Sequence, residues 1–252
     1  MEISSEDLEE IRINSDKNYL FVIRHGERAD GHWGTHNSDS EITSNGKKQA
    51  KATAKIVKSI WEKSEFHDVK VLSSPWLRWL MTSSYIANEL GLKNVFIEPK
   101  ICESLLECGF GKTNPLPLLT SRNAEPSSIS QVYFDDPVEI INWGDEKYKE
   151  VENLFPEELT ENHSRFQSFY EGFKESDKGT ILIVVTHGLA IESFRKYTDA
   201  PKTIINYWWI SWAEYDWDDK ASKPRWLMNC YAKHIERSDH YQIDKTFGIF
   251  VF

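Results

Sequence analysis

Two histidines stand at the ends of apolar segments, in similar local contexts. His25 comes two residues after the segment 19–23, and His187 comes two residues after the segment 179–185. A glycine follows each of them. Near neutral pH an imidazole can act as a nucleophile or carry a proton. Taken alone, either histidine would be assigned to a strand end and bonded to a backbone carbonyl, but two in matching contexts indicate a shared site.

Three arginines accompany these histidines. Arg24 and Arg28 flank His25, and Arg78 follows the apolar segment 69–72 after a short Ser-Ser-Pro stretch. A guanidinium presents planar, bidentate donors that match phosphate oxygens, and it stays charged at physiological pH. A single arginine is often only solvated or ion-paired at the surface. The prediction of a phosphoryl-binding site therefore depends on the three converging.

The elements that would position these residues alternate along the chain. Apolar segments predict strands at 19–23, 69–72, 94–98 and 179–185, and helical spacing predicts helices that begin after Thr43, after Pro75 and near Phe166. Such alternation is typical of an α/β three-layer sandwich, with a mostly parallel central sheet and helices on both faces. In these sheets ligands bind beyond the carboxyl ends of the strands. We therefore expect His25, His187 and Arg78 to meet at that edge.

The remaining segments define the domain organisation. A length of 252 residues predicts a single domain, with an acidic extension at 1–17. Residues 109–135 contain three prolines and many small polar residues, and we expect an insertion over the active site that stays outside the core. Ten tryptophans are expected mainly to fill the core. A homodimer interface formed by the aromatic cluster at 207–217 stays an open alternative.

Composition excludes several classes of partner. The chain has 40 acidic and 30 basic side chains, a net charge of −10, which argues against nucleic acid and anionic membranes as partners. No window reaches 18 apolar residues, so no membrane insertion is expected. Three cysteines cannot all pair with one another, which favours a reducing compartment and a cytoplasmic location.

The loop after His25 carries a second candidate arrangement. His32 and His36 lie near Asp30 and Asp39 in the sequence, as metal ligands could, and His32 with Trp33 could contact a leaving group. Arginines supply the positive charge that Mg²⁺ would otherwise provide at a phosphoryl site. We therefore expect neither a metal nor a cofactor.

Four stretches in a fixed order resemble a known family. They are RHGER at 24–28, DSEITSNGKKQA at 39–50, SPWLR at 74–78 and THG at 186–188. This set resembles the motifs of the histidine phosphatase superfamily, in its phosphoglycerate-mutase-like branch 1, over about residues 19–235. RHGER and the stretch EPKICE at 98–103 are most similar to the phosphatase domains of suppressor-of-T-cell-receptor-signalling proteins and of ecdysteroid-phosphate phosphatase.

The resemblance implies a phosphoglycerate-mutase-like fold and a role for each matching residue. It implies that His25 is the nucleophile, that Arg24, Arg28 and Arg78 bind the phosphoryl group, that His187 is the second pocket histidine, and that Glu103 is the proton donor. A proton donor of this kind needs a raised pKa. Glu98, Glu107 and Asp39 stay open as alternatives to Glu103, because the sequence after Glu103 departs from the aromatic-rich segment of the closest relatives.

The implied activity is metal-independent hydrolysis of phosphomonoesters through a phosphohistidine. The partner would be a small phosphorylated substrate or a phosphoprotein. One alternative is a phosphoglycerate-type mutase, although Arg28 stands where mutases carry a small residue, and the Trp-Asn of their motif is missing. Another alternative is a catalytically silent member that acts as an interaction subunit.

Overall fold

The computed structural model describes most of the chain. The described residues are 2–3, 13–14, 16–30, 39–63, 68–142, 144–176, 178–201 and 209–232. Most of the predicted acidic extension, together with His32, Trp33 and His36, lies outside them. Among the described residues, no helix has the length and apolarity needed to cross a membrane.

A single sheet of eight strands organises the described part of the chain. The strands are β1 (Glu2–Ile3), β2 (Lys17–Arg24), β3 (Asp68–Ser73), β4 (Asn94–Ile97), β5 (Glu139–Asn142), β6 (Thr180–Thr186), β7 (Ile210–Asp216) and β8 (Arg225–Ala232). Their order is β1-β8-β7-β2-β6-β3-β4-β5. Strand β7 is antiparallel to both of its neighbours, and every other neighbouring pair is parallel. The prediction of a mostly parallel sheet is confirmed.

Helices connect the strands. They are α1 (Ser44–Trp61), α2 (Leu77–Glu89), α3 (Glu107–Phe110), α4 (Leu116–Asn123), α5 (Pro126–Tyr133), α6 (Asp145–Glu152), α7 (Leu159–Gly172) and α8 (Gly188–Tyr197), with short 3₁₀ turns at Pro99–Ile101 and Phe173–Glu175. Thr43 caps α1, as its position in the sequence predicts, by accepting a hydrogen bond from the Gly46 amide at 2.9 Å. Helix α2 stops before Gly91, whose φ of 69° is a left-handed conformation that glycine adopts readily.

The two faces of the sheet carry separate apolar clusters. Strand side chains alternate between faces, so Phe21 of β2 lies in one cluster and Val22 in the other. The first cluster contains buried residues of α1 and α2, and the second contains those of α7 and α8. Helices therefore cover both faces, which completes the three-layer sandwich.

The segment 109–135 differs from its prediction. Helices α4 and α5 place Leu116, Leu119 and Ile129 in the first core cluster, and Phe134, directly after α5, also lies there. The expectation that this segment stays outside the core is therefore wrong. Its prolines misled the prediction because two of them stand in the first turns of α4 and α5. A helix tolerates proline there, since the backbone N–H of the first turn has no partner within the helix.

The described tryptophans of the core are deeply buried. Trp76, Trp79 and Trp212 are each at most 1 % exposed, as expected for core residues. In the aromatic cluster at 207–217, Trp209 and Tyr215 are also buried inside the chain. Residues 207 and 208 of the cluster lie outside the described residues, and the homodimer stays a prediction.

Candidate active site

Three neighbouring strands bring the predicted site residues to one edge of the sheet. Strand β6 lies between β2 and β3, and the carboxyl ends of all three point the same way. The His25 amide donates to the carbonyl of Thr186 at 3.1 Å, and the Ser74 amide donates to the carbonyl of Val185 at 3.0 Å. Both loops are therefore tied to the end of β6, which itself leads into His187. The predicted meeting of these loops at one sheet edge is present.

A close backbone contact holds the loop after His25 against α1. A β-carbon on Gly26 would lie 2.5 Å from the carbonyl oxygen of Gly46, and one on Gly46 would lie 2.6 Å from that of Glu27. Only glycine permits this approach. The Glu27 carboxylate is buried and accepts hydrogen bonds from Thr43 Oγ1 at 3.0 Å and Asn45 Nδ2 at 3.2 Å. Glu27 therefore anchors the loop to the start of α1.

His25 is held in one tautomer. Its Nδ1 donates to the carbonyl of Gly26 at 2.7 Å, because that oxygen can only accept, and this places the ring's lone pair on Nε2. Burial, followed by the positive charges of Arg78 and Arg24, holds the pKa of His25 well below its ordinary value. His25 is therefore a neutral imidazole near pH 7, the form that can attack an electrophile.

Glu103 lies between Arg78 and His187. Its Oε2 accepts a hydrogen bond from Arg78 Nη2 at 3.0 Å, and its Oε1 lies 2.7 Å from His187 Nδ1. All three side chains are almost completely buried. Nε2 of the same histidine lies 3.0 Å from the carbonyl of Cys102. The two ring nitrogens of His187 therefore face two oxygen acceptors.

This geometry fixes the number of protons that Glu103 and His187 hold between them. The carbonyl of Cys102 can only accept, so Nε2 of His187 carries a hydrogen. The 2.7 Å contact between Nδ1 and the carboxyl oxygen also needs a hydrogen between the two atoms. Glu103 and His187 thus hold one proton more than a carboxylate and a neutral imidazole would. The site contains an exchangeable proton beside the neutral imidazole of His25.

The other two arginines lie at the same edge. A β-carbon on Gly188 would lie 3.8 Å from Nε and Cζ of Arg24, which places this guanidinium beside the first turn of α8. Arg28 binds Asp30 through two hydrogen bonds, from Nε at 2.6 Å and from Nη2 at 2.5 Å. The Asp30 carboxylate thus occupies the Nε–Nη2 side of the Arg28 guanidinium. An anion would therefore approach Arg28 from the other end of this group.

The family motif match covers most of the chain. The model of the histidine phosphatase superfamily (branch 1) matches residues 20–216, a stretch that includes every predicted site residue. The chain belongs to this superfamily. The phosphoglycerate-mutase-like fold expected from the motifs is confirmed.

Solved structures of the superfamily share the fold. YhfR of Bacillus stearothermophilus aligns with a TM-score of 0.56 at 17% identity, over 87% of this chain and 100% of that one. A phosphoserine phosphatase of Entamoeba histolytica, in complex with 3-phosphoglyceric acid, aligns at 0.53 and 18% identity over 87% and 100%. A phosphoglycerate mutase of Bacillus anthracis aligns at 0.52 and 18% identity over 80% and 90%. No curated protein sequence matches the chain.

The contacts of Glu103 differ from those of the three carboxylates that the sequence left as its alternatives. Glu98 binds Lys147 at 2.9 Å and the Lys100 amide at 3.0 Å. Asp39 accepts the Leu77 amide at 2.7 Å and pairs with Arg122. Glu107 begins α3 and is not buried. Of the four, Glu103 is the carboxylate that contacts His187 and Arg78.

The charge state of Glu103 differs from the expectation for an acid of this superfamily. Burial by itself raises the pKa of Glu103, but the charges of His187 and Arg78 outweigh it and hold the pKa of this carboxyl well below its usual range. The expectation of a raised pKa is wrong in this arrangement. Glu103 is therefore a carboxylate in this arrangement, and it shares a proton with His187 across the 2.7 Å contact.

Trp79 is the part of this candidate site that its sequence pattern did not reveal. Its ring lies under the Arg78 guanidinium, with 3.7 Å between Cζ and the ring centroid. It also meets His25 and His187 edge-on, with ring centroids 5.0 Å and 6.3 Å apart. Helical spacing predicts the burial of Trp79, but no local signal indicates that it packs beneath three site residues.

Proposed function

We propose that this protein is a phosphatase that hydrolyses phosphomonoesters through a phosphohistidine at His25, without a metal. The observation that carries the proposal is the arrangement around His25: a neutral imidazole, with its lone pair on Nε2, beside a buried arginine and a proton-carrying Glu103–His187 pair. Arg24, Arg28 and Arg78 would bind the phosphoryl oxygens, together with the N-terminus of α8.

In the first step, Nε2 of His25 attacks phosphorus, and the bond from phosphorus to the leaving oxygen breaks. The leaving oxygen takes a proton from Glu103. A phosphoryl dianion on Arg78 adds negative charge beside Glu103, which raises the pKa of the carboxyl and moves the shared proton from His187 towards it. The carboxylate found in the structure thus becomes an acid when a substrate is bound.

In the second step, water attacks the phosphohistidine. Glu103, now a carboxylate, takes a proton from the water as its oxygen bonds to phosphorus, and the N–P bond breaks to release phosphate. The neutral His25 and the single shared proton are thereby restored. Arginine charge on the equatorial oxygens stabilises both transition states, so catalysis depends mainly on positioning and electrostatics.

The relationship to particular phosphatases, the class of substrate and the cellular compartment are also proposals. RHGER at 24–28 and EPKICE at 98–103 support a relationship to the phosphatase domains of suppressor-of-T-cell-receptor-signalling proteins and ecdysteroid-phosphate phosphatase. A phosphorylated small molecule or a phosphoprotein would be the substrate. Cys102 and Cys108 are free thiols, which supports a reducing compartment such as the cytoplasm.

Product analysis distinguishes hydrolysis from the mutase alternative. That alternative is tested because the chain shares its fold with a phosphoglycerate mutase of Bacillus anthracis. We expect inorganic phosphate to be released from p-nitrophenyl phosphate and from 3-phosphoglycerate, in amounts equal to the alcohol formed. Interconversion of phosphoglycerate isomers without free phosphate would show a mutase. A folded protein that does neither would contradict the proposal and favour an interaction subunit.

The pH profile tests the state of the nucleophile. Because burial and two arginines hold the pKa of His25 well below 6.5, protonation of this imidazole should begin to cost activity only below that pH. We expect kcat/KM, after division by the fraction of substrate present as the dianion, to stay level from neutrality through pH 6.5 and to fall only at a pH well below it. The division matters because a phosphoester loses its second proton near pH 6. An acid-side midpoint above pH 6.5 would contradict the neutral resting His25.

A further inference from the structure

The segment that carries Glu103 has no regular secondary structure of its own. Residues 102–106 lie between the 3₁₀ turn at Pro99–Ile101 and α3, outside any helix or strand. Yet this segment supplies both the Glu103 carboxylate and the Cys102 carbonyl that accepts from His187. Its position must therefore be set by contacts from other parts of the chain.

Arg165 of α7 makes the first set of these contacts. Its Nη1 donates to the carbonyls of Lys100 at 2.6 Å and Cys102 at 3.3 Å, and its Nη2 donates to the carbonyl of Glu103 at 3.3 Å. One buried guanidinium thus binds three carbonyls within four residues. The Cys102 carbonyl accepts from both Arg165 and His187, so it links the guanidinium to the pocket histidine.

Glu157 makes the second set. Its Oε2 accepts the Leu105 amide at 2.9 Å, and its own amide donates to the Leu105 carbonyl at 2.9 Å. The same carboxylate binds Arg165 twice, Oε1 to Nε at 2.6 Å and Oε2 to Nη2 at 2.9 Å. The side chains of Glu157 and Arg165 are 0% and 5% exposed. We call these two residues the Arg165–Glu157 clamp.

Stability alone does not account for an ion pair in this place. Burying two charges carries a large desolvation cost, and apolar side chains can often replace such a pair without loss of stability. Apolar side chains could not, however, bind the three carbonyls and the Leu105 amide. What the clamp adds to simple packing is therefore a defined position for the backbone on both sides of Glu103.

We propose that Arg165 and Glu157 are positioning residues, which hold Glu103 and the acceptor of His187 where a proton can reach the leaving oxygen. The inference rests on the proposed function, because it assigns the clamp to the acid step of that reaction. The clamp contacts neither His25 nor the three phosphoryl-binding arginines in any hydrogen bond of the described residues. It should therefore act on proton donation and leave phosphoryl binding largely intact.

Leaving-group dependence separates these two effects. An alkyl phosphate needs protonation of its leaving oxygen, whereas p-nitrophenolate leaves readily without it. We expect Arg165→Lys, Arg165→Met and Glu157→Gln to lower kcat/KM for ethyl phosphate by about 10-fold to 100-fold and kcat/KM for p-nitrophenyl phosphate by only a few-fold. The constant kcat/KM is used because it reports the steps up to phosphoryl transfer and excludes the later hydrolysis, in which Glu103 is the base for both substrates. Glu103→Gln should give the same pattern with a larger amplitude.

The ratio of the two kcat/KM values is measured on one preparation, so it does not depend on how much of a variant is folded. Arg195→Met is the matched control, because Arg195 also forms a buried pair, with Glu192 at 2.6 Å and side chains 2% and 7% exposed. We expect this control to lose thermal stability while the ratio stays as in the wild type.

Three results would overturn parts of the account. If Glu103→Gln shifts the ratio and neither Arg165→Lys nor Glu157→Gln does, the clamp inference fails and the proposed function stands. If Glu103→Gln itself leaves the ratio unchanged, Glu103 is not the acid, and the proposed mechanism fails at that residue. An equal loss of kcat/KM for both substrates in the Arg165 variants would show a structural role only and would also overturn the inference.

Discussion

Replacing His25 with alanine should abolish turnover of phosphomonoesters, with a fall in kcat on the order of 10⁴-fold to 10⁶-fold. The imidazole is the neutral group from which an N–P bond would form, its lone pair on Nε2 fixed by the hydrogen bond from Nδ1 to Gly26. Alanine offers no nucleophile, and water in the same pocket would have to attack the ester directly. The residual rate would then come from the arginines and the acid alone.

The control for this loss is a histidine away from the site. His163 lies on α7, where it contacts Ser193 and Lys196. We expect His163→Ala to retain kcat within about threefold, because it removes a ring of the same type without touching the sheet edge. Circular dichroism and thermal unfolding would show that both variants are folded. Activity of folded His25→Ala within about tenfold of the wild type would rule out His25 as the nucleophile.

The second large effect is expected for Arg78→Met. Arg78 is 1% exposed, donates to Glu103 at 3.0 Å and lies over the Trp79 ring. Methionine keeps the apolar contact with the ring but removes the charge and the fork of donors. We expect kcat/KM to fall by about 10²-fold to 10³-fold, equivalent to about 3–4 kcal/mol of lost transition-state stabilisation. Arg78→Lys should recover only part of this loss, because an ammonium cannot bind bidentately.

Arg78 also affects the ionisation of Glu103, which shares a proton with His187. Burial lowers the pKa of Arg78 to about 10, so the guanidinium is still charged near neutrality and helps to hold Glu103 ionised. Without it, the pKa values of both Glu103 and His25 should rise, and the acid-side limb of the kcat/KM profile, which His25 sets, should move to higher pH. Steady-state kinetics of Arg78→Met beside the Arg195→Met control would measure both effects. Unchanged kcat/KM in folded Arg78→Met would contradict the role of this arginine in phosphoryl binding.

Much of the site could be predicted from the sequence because it follows from strand ends. The segments 19–23 and 181–185 are apolar throughout, which predicts buried strands, and the polar residues that follow them are then expected at the carboxyl edge of a parallel sheet. The structure places His25, His187 and Arg78 at that edge. Local apolar patterns were sufficient here because the rule depends only on where each strand ends.

Other features depend on contacts between distant parts of the chain. The charge state of Glu103 is set by His187 and Arg78, and its backbone is held by Arg165, which lies 62 positions away. No periodicity in the sequence reports such pairings. The prolines of 109–135 were a misleading local signal. Proline occurs in loops and also in the first turn of a packed helix, so its presence alone did not distinguish the two.

The most direct test of the central claim is to trap the phosphoryl group on the enzyme. Wild-type protein would be mixed with a ³²P-labelled phosphoester, quenched in alkali, and digested with a protease. We predict an acid-labile, base-stable label on the peptide that contains His25, formed within the first turnover and absent from His25→Ala. Turnover by the wild type with no such label, or with the label on another peptide, would contradict the account.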